Sequence, residues 1–218
     1  MMGTDEYIFF DCMETLIDLK ELPGQKDYAA WTFYGSGVED CWRDFDQYYE
    51  YYTKAKQSLS ERLPEYGEYD VYELLTSLTK LSSTDISDDI AKQYADKLFS
   101  NYWENYSSRS FVRKDVKEAL PRLKRKYRLG VVSNFMVFNG IEMMLNKHDI
   151  RKYFEFVVTS VSEGWRKPHR AIYDKALKRS GVIADSVIFV GDDFLNDYTA
   201  PTELGIRAVY LDRFERHP

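Results

Sequence analysis

Apolar residues follow two different rhythms along the chain. Short, mostly apolar runs recur at Tyr7–Phe10, Leu129–Ser133, Phe154–Thr159, Val187–Val190 and Ala208–Leu211. Runs of this length without alternation read as strands buried on both faces of a parallel sheet. Between the later runs lie segments with helical spacing: Asp115–Tyr127, flawed by Pro121, Val137–Lys147, Pro168–Ser180 with its proline near the first turn, and Leu195–Leu204. Strand and helix in alternation predict a parallel sheet with helices on both faces.

Between the first two runs only the helical rhythm is present. Residues 20–37 hold Pro23, Gly24, Gly35 and Gly37 and read as a loop-rich lead-in. Val38–Leu63 reads as a helix with Trp42, Phe45, Tyr49 and Tyr52 at spacings of three and four. That stripe is assigned to packing between helices, while Tyr48 and Tyr51 fall off it, toward solvent or a cleft. Pro64 and Gly67 end this helix, and Tyr69–Leu81 forms a second. Ser83, Thr84 and Asp85 offer an N-cap for a third over Ile86–Tyr106. The expected fold class is α/β: a three-layer, Rossmann-like parallel-sheet core from residues 1–17 and 108–218, interrupted by an all-helical cap over residues 18–107.

Polar residues of one kind follow the strands. Asp11 comes directly after the first run, with Thr15 four positions on; Ser133 and Asn134 close the second. Lys167 and Pro168 follow the third; Asp192, Asp193 and Asp197 follow the fourth. In an open α/β sheet the carboxyl ends of the strands line the ligand crevice, so these groups share one edge. A carboxylate there can attack phosphorus and split a hard hydrolysis into two easier steps. The difficulty is that an anion must approach a dianion. A Mg²⁺ held by Asp11, Asp192 and either Asp193 or Asp197 offsets that repulsion. Lys167 places positive charge where negative charge develops, and the Thr15 and Ser133 hydroxyls hold phosphate oxygens.

In these motifs the chain resembles the haloacid dehalogenase superfamily. Asp11 with Thr15 matches the first motif, Ser133 the second, Lys167 with Pro168 the third, and Asp192, Asp193 and Asp197 the fourth. The helical insert lies where that superfamily carries a cap, and such caps close over small soluble substrates. The resemblance implies a Mg²⁺-dependent phosphatase or phosphotransferase acting through an aspartyl-phosphate on Asp11. Thr15, Ser133, Asn134 and Lys167 would bind a small phosphorylated molecule, and Asp11, the Met13 carbonyl, Asp192, Asp193 and Asp197 would hold the metal.

Met13 departs from the pattern. Phosphatases of the superfamily carry a second aspartate there, which protonates the leaving oxygen and later activates water; methionine does neither. Three readings stay open. The first is a phosphatase slowed or made selective for leaving groups that need no proton, with a cap residue or a water in place of the acid. The second is a 2-haloacid dehalogenase, which expels halide without acid or metal and in which Arg43 binds the substrate carboxylate; the acidic fourth motif counts against it. The third is a binding module without catalysis. Glu14 is assigned to the loop rather than to the acid role, and His169 to the start of a helix.

Composition narrows the setting. A chain of 218 residues with 44% apolar residues can bury a sizeable core. Aromatics reach 16%, and many of the tyrosines fall between Tyr28 and Tyr106. A net charge of −6 argues against nucleic acid as a partner, and the basic run Arg122–Arg128 reads as a solvated helix face. Two cysteines, Cys12 and Cys41, do not make a disulfide framework, which points to a reducing, cytoplasmic setting. Cys12 has no neighbouring histidine to activate it. No segment has the length and apolarity of a membrane span, and the start is too short and charged for a secretory signal. Monomer and homodimer are both compatible with the sequence.

Overall fold

The computed structural model describes residues 6–82 and 86–213. The chain divides into two compact units, one formed by Met1–Leu19 and Phe111–Pro218, the other by Lys20–Ser110. In chain order the elements are β1 (Tyr7–Phe10), α1 (Gln25–Phe33), α2 (Phe45–Arg62), α3 (Val71–Ser82), α4 (Asp88–Ser108), α5 (Lys114–Lys124), β2 (Arg128–Ser133), α6 (Gly140–Lys147), β3 (Phe156–Thr159), α7 (Ser160–Glu163), α8 (Arg170–Ser180), β4 (Val187–Gly191), α9 (Ala200–Glu203) and β5 (Arg207–Tyr210). A π-helical turn, Phe194–Thr199, leads into α9.

The first unit is the α/β body that the apolar runs predict. Its five strands lie in the order β3-β2-β1-β4-β5, and every neighbouring pair is parallel. From β1 the chain builds β2 and β3 on one side and returns to lay β4 and β5 on the other. That reversal opens a crevice at the carboxyl end of β1. Register puts Phe10 beside both Val131 and Val190, so three strands end almost level there. Along β1 the side chains alternate between layers. Tyr7 and Phe9 belong to a core with Ile172, Tyr173 and Ala176 of α8 and with Val187 and Phe189 of β4. Phe10 shares the opposite side with Val116 and Leu120 of α5, around a cavity. Gly130 is required on β2, because a Cβ there would lie 2.4 Å from the Phe156 ring.

Among its described residues the Lys20–Ser110 unit is helical apart from short connections and the first residue of a two-residue strand at Ser110. Two details correct the sequence reading. The loop-rich lead-in over residues 20–37 contains α1, whose apolar residues lie all round the helix instead of on one face, so no period marks it. The helix expected from Val38 starts at Phe45, after a 3₁₀ turn at Glu39–Cys41, with Asp44 as N-cap accepting from the Gln47 amide at 2.8 Å. Trp42 therefore lies outside the helix, and the buried line runs through Tyr48, Ala55 and Leu59. Tyr48 is fully buried, its hydroxyl hydrogen-bonded to Thr32 at 2.5 Å. The expected N-cap at residues 83–85 lies outside the described residues; Ser87 caps α4. Asn101 on α4 donates to the carbonyls of Trp31 and Tyr34 at 3.0 and 2.9 Å and so satisfies the end of α1.

At the amino-terminal edge of the sheet, Glu155 gathers three partners. It accepts from the Tyr7 hydroxyl at 2.7 Å, from Arg128 at 2.7 Å and from Lys124 at 3.3 Å. The Arg128 hydrogen bonds, helped by Tyr7 and Lys124 against a burial penalty, pull its carboxyl from the ordinary 4.5 down to about 2. As pH falls the unfolded chain takes up this proton first, so the contribution is complete above about pH 5 and lost by about pH 2. Glu155→Gln is expected to lower unfolding free energy by about 1 kcal/mol at neutral pH, the cluster being partly solvent-screened. Urea melts of the two proteins should converge as the pH is lowered toward about 2.

Candidate active site

The ladder itself delivers the first carboxylate. The Asp11 amide donates to Val190 O at 2.9 Å, extending the pairing of β1 with β4 by one residue. The backbone then turns sharply: the amides of Leu16 and Ile17 both donate to Cys12 O, at 2.8 and 2.9 Å, and the Glu14 amide to Ile17 O at 2.8 Å. Glu14 takes a left-handed φ of 60° within this turn, a conformation a non-glycine residue adopts only under constraint. The turn buries Thr15 and points its hydroxyl at Asp192, to which it donates at 3.1 Å.

Ser133, the last residue of β2, is buried and donates to Asp11 Oδ1 at 3.2 Å. The next residue, Asn134, spends both amide atoms on the backbone of Lys167. Its Oδ1 accepts from Lys167 N at 2.7 Å, and its Nδ2 donates to Lys167 O at 3.0 Å. Lys167 thus enters the crevice from the segment after α7. Its Nζ lies 2.7 Å from Asp11 Oδ1 and 2.6 Å from Asp197 Oδ1. Gly191 makes room for Asp197: a Cβ at that position would stand 2.2 Å from Asp197 Oδ2. That same oxygen accepts from the Asp193 amide at 3.1 Å.

Asp11, Thr15, Ser133, Lys167, Asp192 and Asp197 therefore meet in one polar cluster. Asn134 joins through the lysine backbone. Asp193 stands apart, because its carboxylate accepts from the Asn196 amide at 2.9 Å and caps the turn that follows. Met13 lies in the turn, its backbone bridged to Ile17, and brings no titratable group. Cys12 is buried, and burial, reinforced by the Asp11 charge, pushes its thiol well above the usual range. That fits a packing role better than a nucleophilic one.

Charge dominates the cluster. Asp11, Asp192 and Asp197 each place a carboxylate oxygen within 4.8 Å of the others. Burial pushes the Asp11 carboxyl up; Lys167 opposes this and Asp192 adds to it. Asp192 is raised by burial and then by the Asp197 charge. Asp197 is pushed up to about 6 by burial, with Lys167 opposing and Asp11 adding. Burial alone would weaken the Lys167 ammonium, but Asp11 and Asp197 outweigh it and hold the lysine charged far above its usual range. One ammonium among three carboxylates leaves surplus negative charge in a buried pocket. Hard oxygen donors at this spacing suit a Mg²⁺ ion, and the surplus charge is what such an ion neutralises.

A second buried charge group was not anticipated from the sequence. Asp18 is enclosed and bound by Arg113 and Arg213. The partners lie 95 and 195 residues away, so no local spacing announces them.

A family model described as haloacid dehalogenase-like hydrolase matches residues 45–211. Over 216 residues the chain is 29% identical to haloacid dehalogenase-like hydrolase domain-containing protein 3 of Xenopus laevis, covering 94% of this chain and 83% of that one. It is 27% identical over 212 residues to a glyceraldehyde 3-phosphate phosphatase of Pyrococcus furiosus, covering 94% and 79%. Among solved structures, a 2-haloacid dehalogenase from Pseudomonas syringae pv. Tomato has a TM-score of 0.73 at 19% identity, over 98% of this chain and 91% of that one. A HAD phosphatase from Thermococcus onnurineus has a TM-score of 0.64 at 19% identity, over 98% and 89%. At these identities the structural likeness speaks for the fold.

Removing the ammonium should cost more than removing one of the charges it balances. Without added divalent cation, Lys167→Met is expected to lower unfolding free energy by about 3 kcal/mol, because Asp11 and Asp197 are left buried together. Asp197→Asn should cost less, since it relieves repulsion with Asp11 as it loses the lysine contact. Urea unfolding of both variants orders the two effects.

Proposed function

The chain belongs to the haloacid dehalogenase-like hydrolase family, and from that premise we propose that it is a Mg²⁺-dependent phosphatase of small phosphorylated metabolites, with Asp11 as nucleophile. The observation that carries the proposal is the Lys167 ammonium seated between Asp11 and Asp197, with Asp192 in the same cluster. A surface dedicated to neutral ligands has no use for so many buried carboxylates.

In this reading an Asp11 oxygen bonds to phosphorus while the substrate's ester oxygen leaves with its electron pair. An aspartyl-phosphate results, and water then releases inorganic phosphate and regenerates the carboxylate. Lys167 orients Asp11 before attack and faces the charge that builds on the phosphoryl oxygens. The Ser133 hydroxyl, at present on Asp11 Oδ1, and the Thr15 hydroxyl turn toward those oxygens when substrate is bound. Asp11, the Met13 carbonyl, Asp192 and Asp197 would hold Mg²⁺, with Asp193 maintaining the shape of the turn. When bound, Mg²⁺ neutralises the carboxylates and polarises the phosphoryl group. The Lys20–Ser110 unit serves as the cap that selects the substrate. The small soluble substrate and the two unpaired cysteines suit a cytoplasmic enzyme that needs neither nucleic acid nor membrane, and no helix among the described residues is long and apolar enough to cross a bilayer.

Met13 sets the preference. With no carboxyl group at that position, the leaving oxygen gets no proton from this turn, and the water of the second step gets no base. Acyl and aryl phosphates, whose leaving groups depart as stable anions, are therefore the better substrates. Acetyl phosphate and p-nitrophenyl phosphate should be hydrolysed only with Mg²⁺, and Asp11→Asn should lower the rate by about a thousandfold or more. Turnover no better than that of Asp11→Asn would overturn the proposal. Met13→Asp is expected to raise the rate by about a hundredfold for alkyl phosphates and much less for aryl phosphates; an equal gain on both would show that leaving-group protonation is not the limit. Met13 also favours the dehalogenase reading, since a halide leaves without a proton. Halide release from 2-chloropropionate in EDTA would support that reading in place of the phosphatase.

A further inference from the structure

The turn that carries Met13 and Thr15 is strained at Glu14 and open on one side. A cavity of about 340 Å³ lies against it, lined by Phe10, Leu16, Val116, Leu120, Val190 and Leu211, with Thr15, Arg113 and Arg213 also on its wall. Apolar packing on this side of the turn is therefore incomplete, and polar contacts add to it. Asp18, only 2% exposed, receives Arg113 Nη1 at 2.7 and 2.6 Å on its two oxygens, and Arg213 at 2.8 and 3.1 Å. Each guanidinium then uses a remaining donation on the turn itself. Arg113 Nη2 donates to Thr15 O at 3.2 Å, and Arg213 Nη1 to Glu14 O at 2.7 Å. Glu14 adds a third tie, its Oε1 accepting from the Leu19 amide at 3.0 Å.

We propose that the Asp18–Arg113–Arg213 clamp is a positioning device for the catalytic turn, fixing the peptide planes after Glu14 and Thr15 so that the Thr15 side chain stays beside Asp192, within reach of the cluster. The proposal rests on the reading of Asp11 and its neighbours as the phosphatase site. A buried carboxylate needs its charge compensated, and one guanidinium would serve. The second guanidinium, and the carbonyl contact made by each, are what a purely structural ion pair does not require. Planar guanidinium forks suit the task, because one group can hold a carboxylate and a carbonyl in a fixed relation. Since Thr15 Oγ1 reaches Asp192 at 3.1 Å, a rotation of the Glu14–Thr15 peptide moves a member of the carboxylate cluster as well.

The test uses the full chain with Arg213→Met, which keeps most of the side chain's apolar length, and Arg213→Lys, which keeps the charge but not the fork. Hydrogen exchange at the amides of Glu14, Leu16 and Ile17 reads the turn directly, through bonds these amides make within it. In Arg213→Met, exchange there should quicken about tenfold or more, while amides of β2 and α8 keep their protection. With acetyl phosphate and Mg²⁺, kcat should fall about tenfold and KM should stay within about twofold, with Arg213→Lys between wild type and Arg213→Met. Unchanged exchange in the turn, or equal acceleration across β2 and α8, overturns the proposal, as does a raised KM with kcat preserved. If Arg213→Met does not fold, Arg113→Met is read by the same criteria. A wild-type protein inert toward phosphates would sink the phosphatase reading alone, and the exchange pattern would still decide whether the clamp holds the turn.

Discussion

One ammonium ion between buried carboxylates is the constraint around which this site is built. Lys167 sits within 2.7 Å of Asp11 and 2.6 Å of Asp197, all three enclosed. Stripping such groups of water costs several kcal/mol each, and their attraction recovers that only if the contact is close and every other polar atom is satisfied. The fold meets the first condition. Strands β1 and β4 end side by side, so Asp11 and the Asp192–Asp197 segment start from neighbouring positions. Lys167 has no strand to place it. Its backbone is gripped at N and O by Asn134, which sits at the end of β2, so the lysine is in effect registered to the sheet.

What could be seen in advance divides by the distance over which the physics acts. Strand–helix alternation is a local signal, and all five core strands and their parallel arrangement were legible from it. Asp11, Thr15, Ser133, Asp192 and Asp197 were legible because each ends or follows a strand at the same sheet edge, and Lys167 as part of the polar segment between β3 and α8. The misses have non-local causes. Helix α1 carries apolar residues on all sides although only Ala29, Thr32 and Phe33 are buried, so its apolar pattern shows no period. Tyr48 fell off the expected stripe because the helix starts seven residues later than the aromatic spacing suggested. Asn134 and Asp193 are a separate case: Asn134 holds the Lys167 backbone, and Asp193 accepts from the Asn196 amide three residues on. Asp18 finds its two arginines only after the chain has folded.

Methionine at position 13 separates two jobs that a single turn can perform. Orienting the nucleophile depends on backbone geometry, which a methionine does not disturb: the turn's hydrogen bonds from Leu16, Ile17 and Glu14 are all made by main-chain atoms. Moving a proton depends on a side chain, and here there is none. Glu14, next along, does not step into the role: its Oε1 is occupied by the Leu19 amide and its Oε2 lies 3.8 Å from Arg213. The turn is thus organised for attack and unequipped for protonation. In the proposed phosphatase, substrate choice follows from this asymmetry.

The two buried charge groups differ in the chemistry they can tolerate. Around Asp11 the carboxylates are raised by burial, Asp197 to about 6, so their charge responds to pH and to any cation that arrives. In the proposed reaction such responsiveness is useful next to a reacting phosphate, and it is harmful in a part that must keep its shape. Guanidinium groups keep their charge across the whole physiological range. Arg113 is pushed higher still, its own burial opposing the shift and Asp18 prevailing. The carbonyls of Glu14 and Thr15 are therefore gripped by guanidiniums that keep their charge, while the carboxylates around Asp11 do not have that constancy. Changes of charge around Asp11 can then occur against a turn whose anchors stay constant.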